Sequence, residues 1–365
     1  MNRKTKDILK QFILYSIIWS LAFFLLVILR TYGVLEGLID GYIRDSRITN
    51  YGLVTLIFSM GMFSGFSTVL SDLLLGRTIE RNKPYGKVLL LKAGFYLMSI
   101  LVMLGCMHFI FFIPGIYDGH VPSLLELYIS RPAQVVALYT VLVTITINFV
   151  RLVDDKFGPG NLIKMLFGYY HQPKEVKRII MFLDLKSSTT AAEKIGDLQY
   201  SKMIQECFRD ITESVRIFEA DIYQYVGDEV ILIWKMENGL DNQNCIRMYF
   251  HFRDTLKMKE NFYSNKFGWI PEFKAGIHFG NVVATEVGFI KREIAYHGDV
   301  LNTTSRIQDK CNELGQKLLI SKELGSKFSE SLTNKFEIRD FDSIDLKGKN
   351  ANLDIIGIQM KNSQS

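Results

Sequence analysis

The sequence predicts two fold classes in one chain: an N-terminal all-α transmembrane bundle of about four helices, then an α/β (α+β) domain on one central sheet. Three observations predict it. Residues 12–29 carry no charge and are long enough to cross a bilayer. Similar apolar runs lie near 51–75, 88–113 and 132–150. From Arg178 onward, short apolar runs alternate with stretches of helical period. The expected boundaries are 1–155 for the membrane part, 156–177 for a linker and 178–365 for the α/β domain.

The four apolar runs read as spanning helices. No small-residue cleavage site follows the first, so it reads as a retained span and not a removable signal. The second run is rich in Gly and Ser, which lets helices approach closely in a packed bundle or a dimer interface. Basic residues cluster before the first run (Arg3, Lys4, Lys6, Lys10), after the second (Arg77, Arg81, Lys83, Lys87) and after the fourth (Arg151, Lys156, Lys164). The positive-inside rule therefore puts the N-terminus and the α/β domain in the cytoplasm of a multi-pass inner-membrane protein. Asp72 and His108 fall toward run ends, where contact with headgroups or water explains them more simply than a sensor role.

Hydrophobic residues make up 48% of the chain, and the formal charge of +5 is too mild to imply nucleic acid. The four cysteines show no zinc-like spacing and read as free thiols in a reducing compartment.

In the linker, Gly158-Pro159-Gly160 breaks the fourth helix, and Asn161 is expected to cap a short amphipathic one that ends by Pro173. "RIIMFLDL" reads as a buried strand, and residues 187–220 as a helix. "DIYQYV", "EVILIW" and "FKAGIHFGNVVATEVG" read as strands, and "DVLNTTSRIQDKCNEL" as a helix. "KLLISKEL" reads as a strand entering a turn, and the C-terminal stretch as a hairpin around Lys347-Gly348-Lys349.

Asp184 ends the first of these strands, and Asp228 sits in a hairpin turn about 44 residues later. Two acids with no His or Cys nearby suit Mg²⁺ or Mn²⁺, not Zn²⁺. Ser187, Ser188 and Thr189 follow where a helix begins, and free backbone N–H groups there can seat a phosphate. Capping by Ser188 and Thr189 is the plainer alternative. Glu229 is expected, by strand alternation, to point away from Asp228 and is not assigned as a ligand.

"FLDLKSSTTAAEKIG", "YQYVGDEV", "GIHFGNVVATEVG" and "AYHGDVLNTTSRIQ", in this order, resemble the catalytic domain of class III nucleotidyl cyclases, over roughly residues 178–360. The resemblance implies a ferredoxin-like α/β catalytic domain and a head-to-tail homodimer whose two active sites each draw on both subunits. It implies two Mg²⁺ or Mn²⁺ ions per site, held by Asp184, Asp228 and the backbone carbonyl of Leu185. Asn302 and Arg306 match the family's Asn, which orients the ribose, and its Arg, which stabilises the developing phosphate charge. Lys347, or Lys349 in its place, matches the lysine that holds the triphosphate. The implied reaction is attack of the ribose 3′ oxygen on the α-phosphate of a nucleoside triphosphate, releasing pyrophosphate. No residue offers itself as a general base.

Gln224 and Ala295 stand where the family reads the base, three places before Gly227 and Gly298. They match neither the adenylate nor the guanylate pairing. ATP is favoured by analogy; cyclic GMP, a pyrimidine cyclic nucleotide and a catalytically dead binding module are the alternatives. "VGDEV" also resembles the G-G-D/E-E-F hairpin of diguanylate cyclases, a family with no place for the Asn302/Arg306 helix. The other expected partners are membrane lipid, with room for an unidentified ligand of the membrane part, and no nucleic acid.

Overall fold

The computed structural model describes residues 3–31, 50–76, 84–110, 112, 123–129, 131–158, 160–328, 332, 335–344 and 353–361. The chain divides into two compact units, Met1–Val153 and Asp154–Ser365.

The first unit holds α1 (Arg3–Thr31), α2 (Asn50–Ser71, running into a π-helical turn Asp72–Gly76), α3 (Tyr85–Ile110), the short α4 (Leu124–Ile129) and α5 (Arg131–Phe157). Four stretches are long and apolar enough to cross a membrane: Ile8–Leu29, Tyr51–Leu75, Gly86–Cys106 and Ala133–Asp154. The sequence reading gave no element to α4. A capping box opens it, with the Ser123 N–H donating to Glu126 at 2.8 Å and the Glu126 N–H donating to the Ser123 hydroxyl at 3.3 Å.

Lipid-like surfaces offer helices no hydrophobic reason to associate, so close contact and internal hydrogen bonds must hold the bundle. Both are present. Gly61 and Gly65 of α2 lie against α1, where a Cβ at Gly65 would stand 2.6 Å from the Ser16 backbone nitrogen. The small residues of the second run thus serve packing within the chain. Trp19 Nε1 donates to the Thr68 hydroxyl at 3.0 Å, and the Tyr139 hydroxyl donates to the Ala22 carbonyl at 2.6 Å. Asp72 does not look outward to headgroups: it pairs with Arg151 at 2.6 Å and Lys92 at 3.5 Å.

In the second unit, α6 (Asn161–Leu166) starts from Gly160 and not from Asn161. Gly158 and Gly160 both take left-handed φ angles, +87° and +75°, which glycine adopts without strain. This draws Asn161 into the first turn, where its side chain bonds back to the Phe157 carbonyl at 3.0 Å.

β1 (Lys174–Leu185) begins four residues ahead of the expected start, because its charged first half pairs with the far end of β4 (Phe273–Val287), Lys174 opposite Ala284. α7 (Ser188–Ile195) and α8 (Asp197–Ile217) replace the single expected helix, broken at Gly196 with φ +78°. β2 (Asp221–Val226) and β3 (Glu229–Lys235) form the expected hairpin. α9 (Met236–Leu240), α10 (Asn244–Met258) and α11 (Glu260–Phe267) follow. β5 (Glu293–His297), α12 (Asp299–Glu313), β6 (Leu318–Ser321), α13 (Lys322–Ser326), β7 (Phe336–Ile344) and β8 (Leu353–Met360) complete the unit. Lys347 and Lys349, between β7 and β8, lie outside the described residues.

The sheet runs β2-β3-β1-β4-β6-β8-β7, with β5 paired to β4. Alternation along β1 sorts its two faces. Ile179, Met181, Leu183 and Leu185 join the large core with residues of α8 and α10. Ile180 and Phe182 face the other way, toward Val300 at the start of α12. Asp184 continues this second set, and the site is built on that face.

Candidate active site

Antiparallel pairing of β1 with β3 sets Leu183 opposite Val230, so the next pair brings Asp184 opposite Glu229, beside the β2–β3 turn that carries Asp228. Gly227 makes that turn with φ +62°. Burial first, and then the Asp228 charge, hold the Asp184 carboxyl above its ordinary pKa; Lys274 and Gln308 oppose them. Lys274 Nζ lies 3.4 Å from Asp184 Oδ2, and Gln308 Nε2 donates to the same oxygen at 3.0 Å. Asp228 Oδ2 is buried with no hydrogen-bond partner.

Two glycines bring Gln308 to this place. A Cβ at Gly276 would stand 2.5 Å from the Gln308 backbone nitrogen, and one at Gly280 would stand 2.6 Å from Val300 Cγ2. Bare backbone at both positions lets α12 lie directly on β4.

Glu229 departs from the expectation. Alternation holds along a strand, but Asp228 belongs to the turn, so Glu229 takes its facing from its partner Asp184. Its carboxyl is pushed up to about 7, first by burial and then by the charges of Asp184, Asp309 and Asp228. Tyr200 of α8 also stands here. Burial first, then the charge of nearby Asp228, push its phenol up to about 12.

Leu185 is buried and pairs with Phe273. The next residues leave the strand: the Lys186 N–H donates to the Glu272 carbonyl at 2.8 Å, and Ser187 takes φ +57°. Ser187, and not Ser188 or Thr189, is the N-cap of α7, and no side chain caps the helix. Its first N–H groups therefore lack a side-chain acceptor, beside the two aspartates.

Among the described residues no group of three or more His, Cys, Asp or Glu is arranged to hold a metal. The donors fit hard cations nonetheless. The Asp228 charge makes Asp184 harder to ionise, and one buried carboxylate oxygen of Asp228 lacks a partner. A bound cation relieves both.

Residues 170–358, just over half of the chain, match the family model described as Adenylate and Guanylate cyclase catalytic domain. The chain belongs to this family. It is 28% identical over 227 residues to Adenylate cyclase 2 of Rhizobium meliloti (strain 1021), covering 62% of each chain. It is 24% identical over 180 residues to Adenylate cyclase 1 of the same organism, covering 48% of this chain and 26% of that one. The chain thus spans less than two thirds of the length of either relative. The structure of a bacterial light-regulated adenylyl cyclase matches with a TM-score of 0.51 at 17% identity, covering 61% of this chain and 64% of the other, a likeness of fold.

Within this cyclase domain the other expected residues divide into two places. Asn302 is exposed and Arg306 half-buried on α12, whose inward face is Val300, Thr303, Thr304, Ile307, Gln308 and Cys311. Gln308 lies two residues past Arg306, about 200° around the helix. One chain therefore does not bring Asn302 and Arg306 to its own Asp184. Gln224 is exposed on the edge strand β2, and Ala295 half-buried on β5. A bulge between Ile222 and Gln224 turns both Tyr223 and Gln224 toward the Asp184 face, and Gln224 pairs with Ile231.

Sequence reasoning passed over Lys274, Gln308 and Tyr200. Lys274 had a signal, a lone charge inside the apolar run "FKAGIHF". Gln308 and Tyr200 had none, since each is an ordinary helix residue until the sheet is placed beneath it.

Proposed function

We propose that the chain is a membrane-anchored nucleotidyl cyclase that converts a nucleoside triphosphate, ATP by preference, into a 3′,5′-cyclic nucleotide and pyrophosphate. Two copies of the chain share each site. The observation that carries this reading is the half-buried Asp184/Asp228 pair, with its unpartnered oxygen, beside the uncapped start of α7. The names of the two bacterial relatives support ATP. The four apolar helices and the basic loops support an inner-membrane protein with its cyclase domain in the cytoplasm.

Asp184, Asp228 and the Leu185 carbonyl would hold two Mg²⁺ or Mn²⁺ ions. Those ions, when bound, lower the pKa of the 3′ hydroxyl and neutralise phosphate charge. The N–H groups at the start of α7, with Ser188 and Thr189, seat the phosphates, and Lys274 adds a fixed positive charge beside Asp184. The partner copy supplies Asn302 to orient the ribose and Arg306, whose guanidinium fork matches the phosphate oxygens of the transition state. Lys347, or Lys349 in its place, holds the triphosphate, and Gln224 and Ala295 meet the base. The membrane part joins two copies in one bilayer and leaves room for an unidentified ligand.

The test uses the full chain in detergent, each of the four nucleoside triphosphates with Mn²⁺, and product identification by mass spectrometry. Asp228→Ala and Arg306→Ala should each be inactive, yet co-expressed in equal amounts they should regain about a quarter of wild-type activity. Random pairing makes half the dimers mixed, each with one intact site of two. No cyclic product from wild-type protein leaves the dead-module reading; active single variants refute the assigned roles.

A further inference from the structure

Beside Gln224 and Ala295 lies a cluster of tyrosines that the catalytic chemistry does not use. Gln224 follows a bulge on an edge strand, and Ala295 sits on a short strand paired to β4. Neither position is fixed by a central place in the sheet. The residues next to them supply a link. The Tyr296 N–H donates to the Tyr223 hydroxyl at 3.3 Å, and their rings meet edge-on at 5.1 Å. Both rings pack on the small core of Ile180, Phe182, Ile231, Val282 and Val300. The Tyr296 phenol lies against the side chains of Tyr170 and Arg178.

Tyr170 belongs to the segment that precedes β1. It is 3% exposed, and its carbonyl accepts from the Glu286 N–H of β4 at 2.9 Å. Burial, then Tyr296, push the Tyr170 phenol up to about 12, so it stays protonated and able to donate throughout the neutral range. A continuous set of contacts thus runs from the segment after α6, through Tyr170 and Tyr296, to the residues adjoining both base-reading positions.

We infer that Tyr296 is a positioning residue for base selection, fixing Ala295 directly and Gln224 through Tyr223, and that Tyr170 carries the placement of the linker to it. The inference rests on the function proposed above. Its physical basis is that discrimination between bases needs donors and acceptors held to a fraction of an ångström. Gln224 offers both a donor and an acceptor, so which base it pairs with depends on how its backbone is held.

The experiment compares the full-length wild type with Tyr296→Phe, Tyr223→Phe and the double variant, measuring kcat and KM for the two best nucleoside triphosphates. Phenylalanine keeps both rings; at position 296 it removes the phenol contacts with Tyr170 and Arg178, and at position 223 it removes the acceptor of the Tyr296 N–H. Each single variant should change the ratio of kcat/KM between the two nucleotides by about fivefold, the size of one ordinary hydrogen bond, mostly through KM. The double variant should change it no further, since both hydroxyls belong to one network. A ratio within threefold of wild type in both single variants overturns the inference, because a merely structural role lowers turnover of every nucleotide alike. Wild-type protein that forms no cyclic product overturns the proposed function and this inference with it, a result separate from an active wild type with unmoved variants.

Discussion

Replacing Gly276 with alanine puts a methyl carbon 2.5 Å from the Gln308 backbone nitrogen and 2.8 Å from its Cα. The obstruction is main chain in the middle of a helix, so no side chain can turn aside. Helix α12 has to withdraw from β4 until those contacts reach about 3.4 Å. Overpacking of this kind costs about 1–3 kcal/mol. For a domain of this size that lowers the melting temperature by about 2–12 °C. Activity should fall further than stability, because Asn302, Arg306 and Gln308 all ride on α12, and a shift near 1 Å costs on the order of a hundredfold. Gly280→Ala is the control. Its methyl meets the end of the Val300 side chain at 2.6 Å, with the next atoms at 3.9 Å, so a rotamer change relieves most of the clash. Its cost should stay below about 1 kcal/mol. The assays are thermal unfolding and cyclase activity at a temperature where both variants are folded. Equal melting temperatures for the two variants, or full activity of folded Gly276→Ala, would refute the reasoning.

Two further outcomes follow. Glu272 sits between Lys317 and Lys186 (3.3 Å to the latter), and these pairings, Lys317 first, hold its carboxyl below the ordinary value of 4.5. A depressed carboxylate stabilises the fold above its unfolded pKa and stops doing so as pH falls through its folded pKa. The stability gap between wild type and Glu272→Gln should therefore be present at pH 6–7 and close below about 4.5; a gap that persists to pH 3 contradicts it. In the first unit, Gly65→Leu meets the Ser16 backbone at 2.6 and 2.8 Å and should separate α1 from α2, read as accelerated proteolysis or unfolding in detergent. Wild-type resistance would mean that α1 reaches α2 some other way.

The order of the main elements was legible because strand and helix periods differ and because acids interrupt apolar runs at Asp184 and Asp228. What escaped depended on pairing. The first half of β1 is charged and looks like linker until its register with β4 is known. Helices α10 and α11 fill a long stretch that the reading left unassigned, although Tyr249, Phe252 and Tyr263 are among the largest buried side chains. Glu229 was assigned by alternation counted from Asp228, but a turn residue does not set strand phase. The bulge at Tyr223 has no sequence mark, yet it turns Gln224 to the site face. The motif "GIHFG" was read as strand; its glycines prove to be the seat for α12.

That seat bears on how the proposed dimer would behave. The inner face of α12 gives Gln308 to Asp184 of its own chain, and the outer face carries Asn302 and Arg306, which cannot reach that aspartate. In a head-to-tail pair the two faces of one helix serve two different sites. With α12 seated on bare backbone at Gly276, a shift of Arg306 would strain the Gln308 bond to Asp184. In the proposed dimer, a nucleotide that drew Arg306 toward its phosphates would act, through one helix, on the acid pair of the neighbouring site. In that dimer, coupling between the sites would need only the stiffness of the fewer than two turns of helix between Asn302 and Gln308.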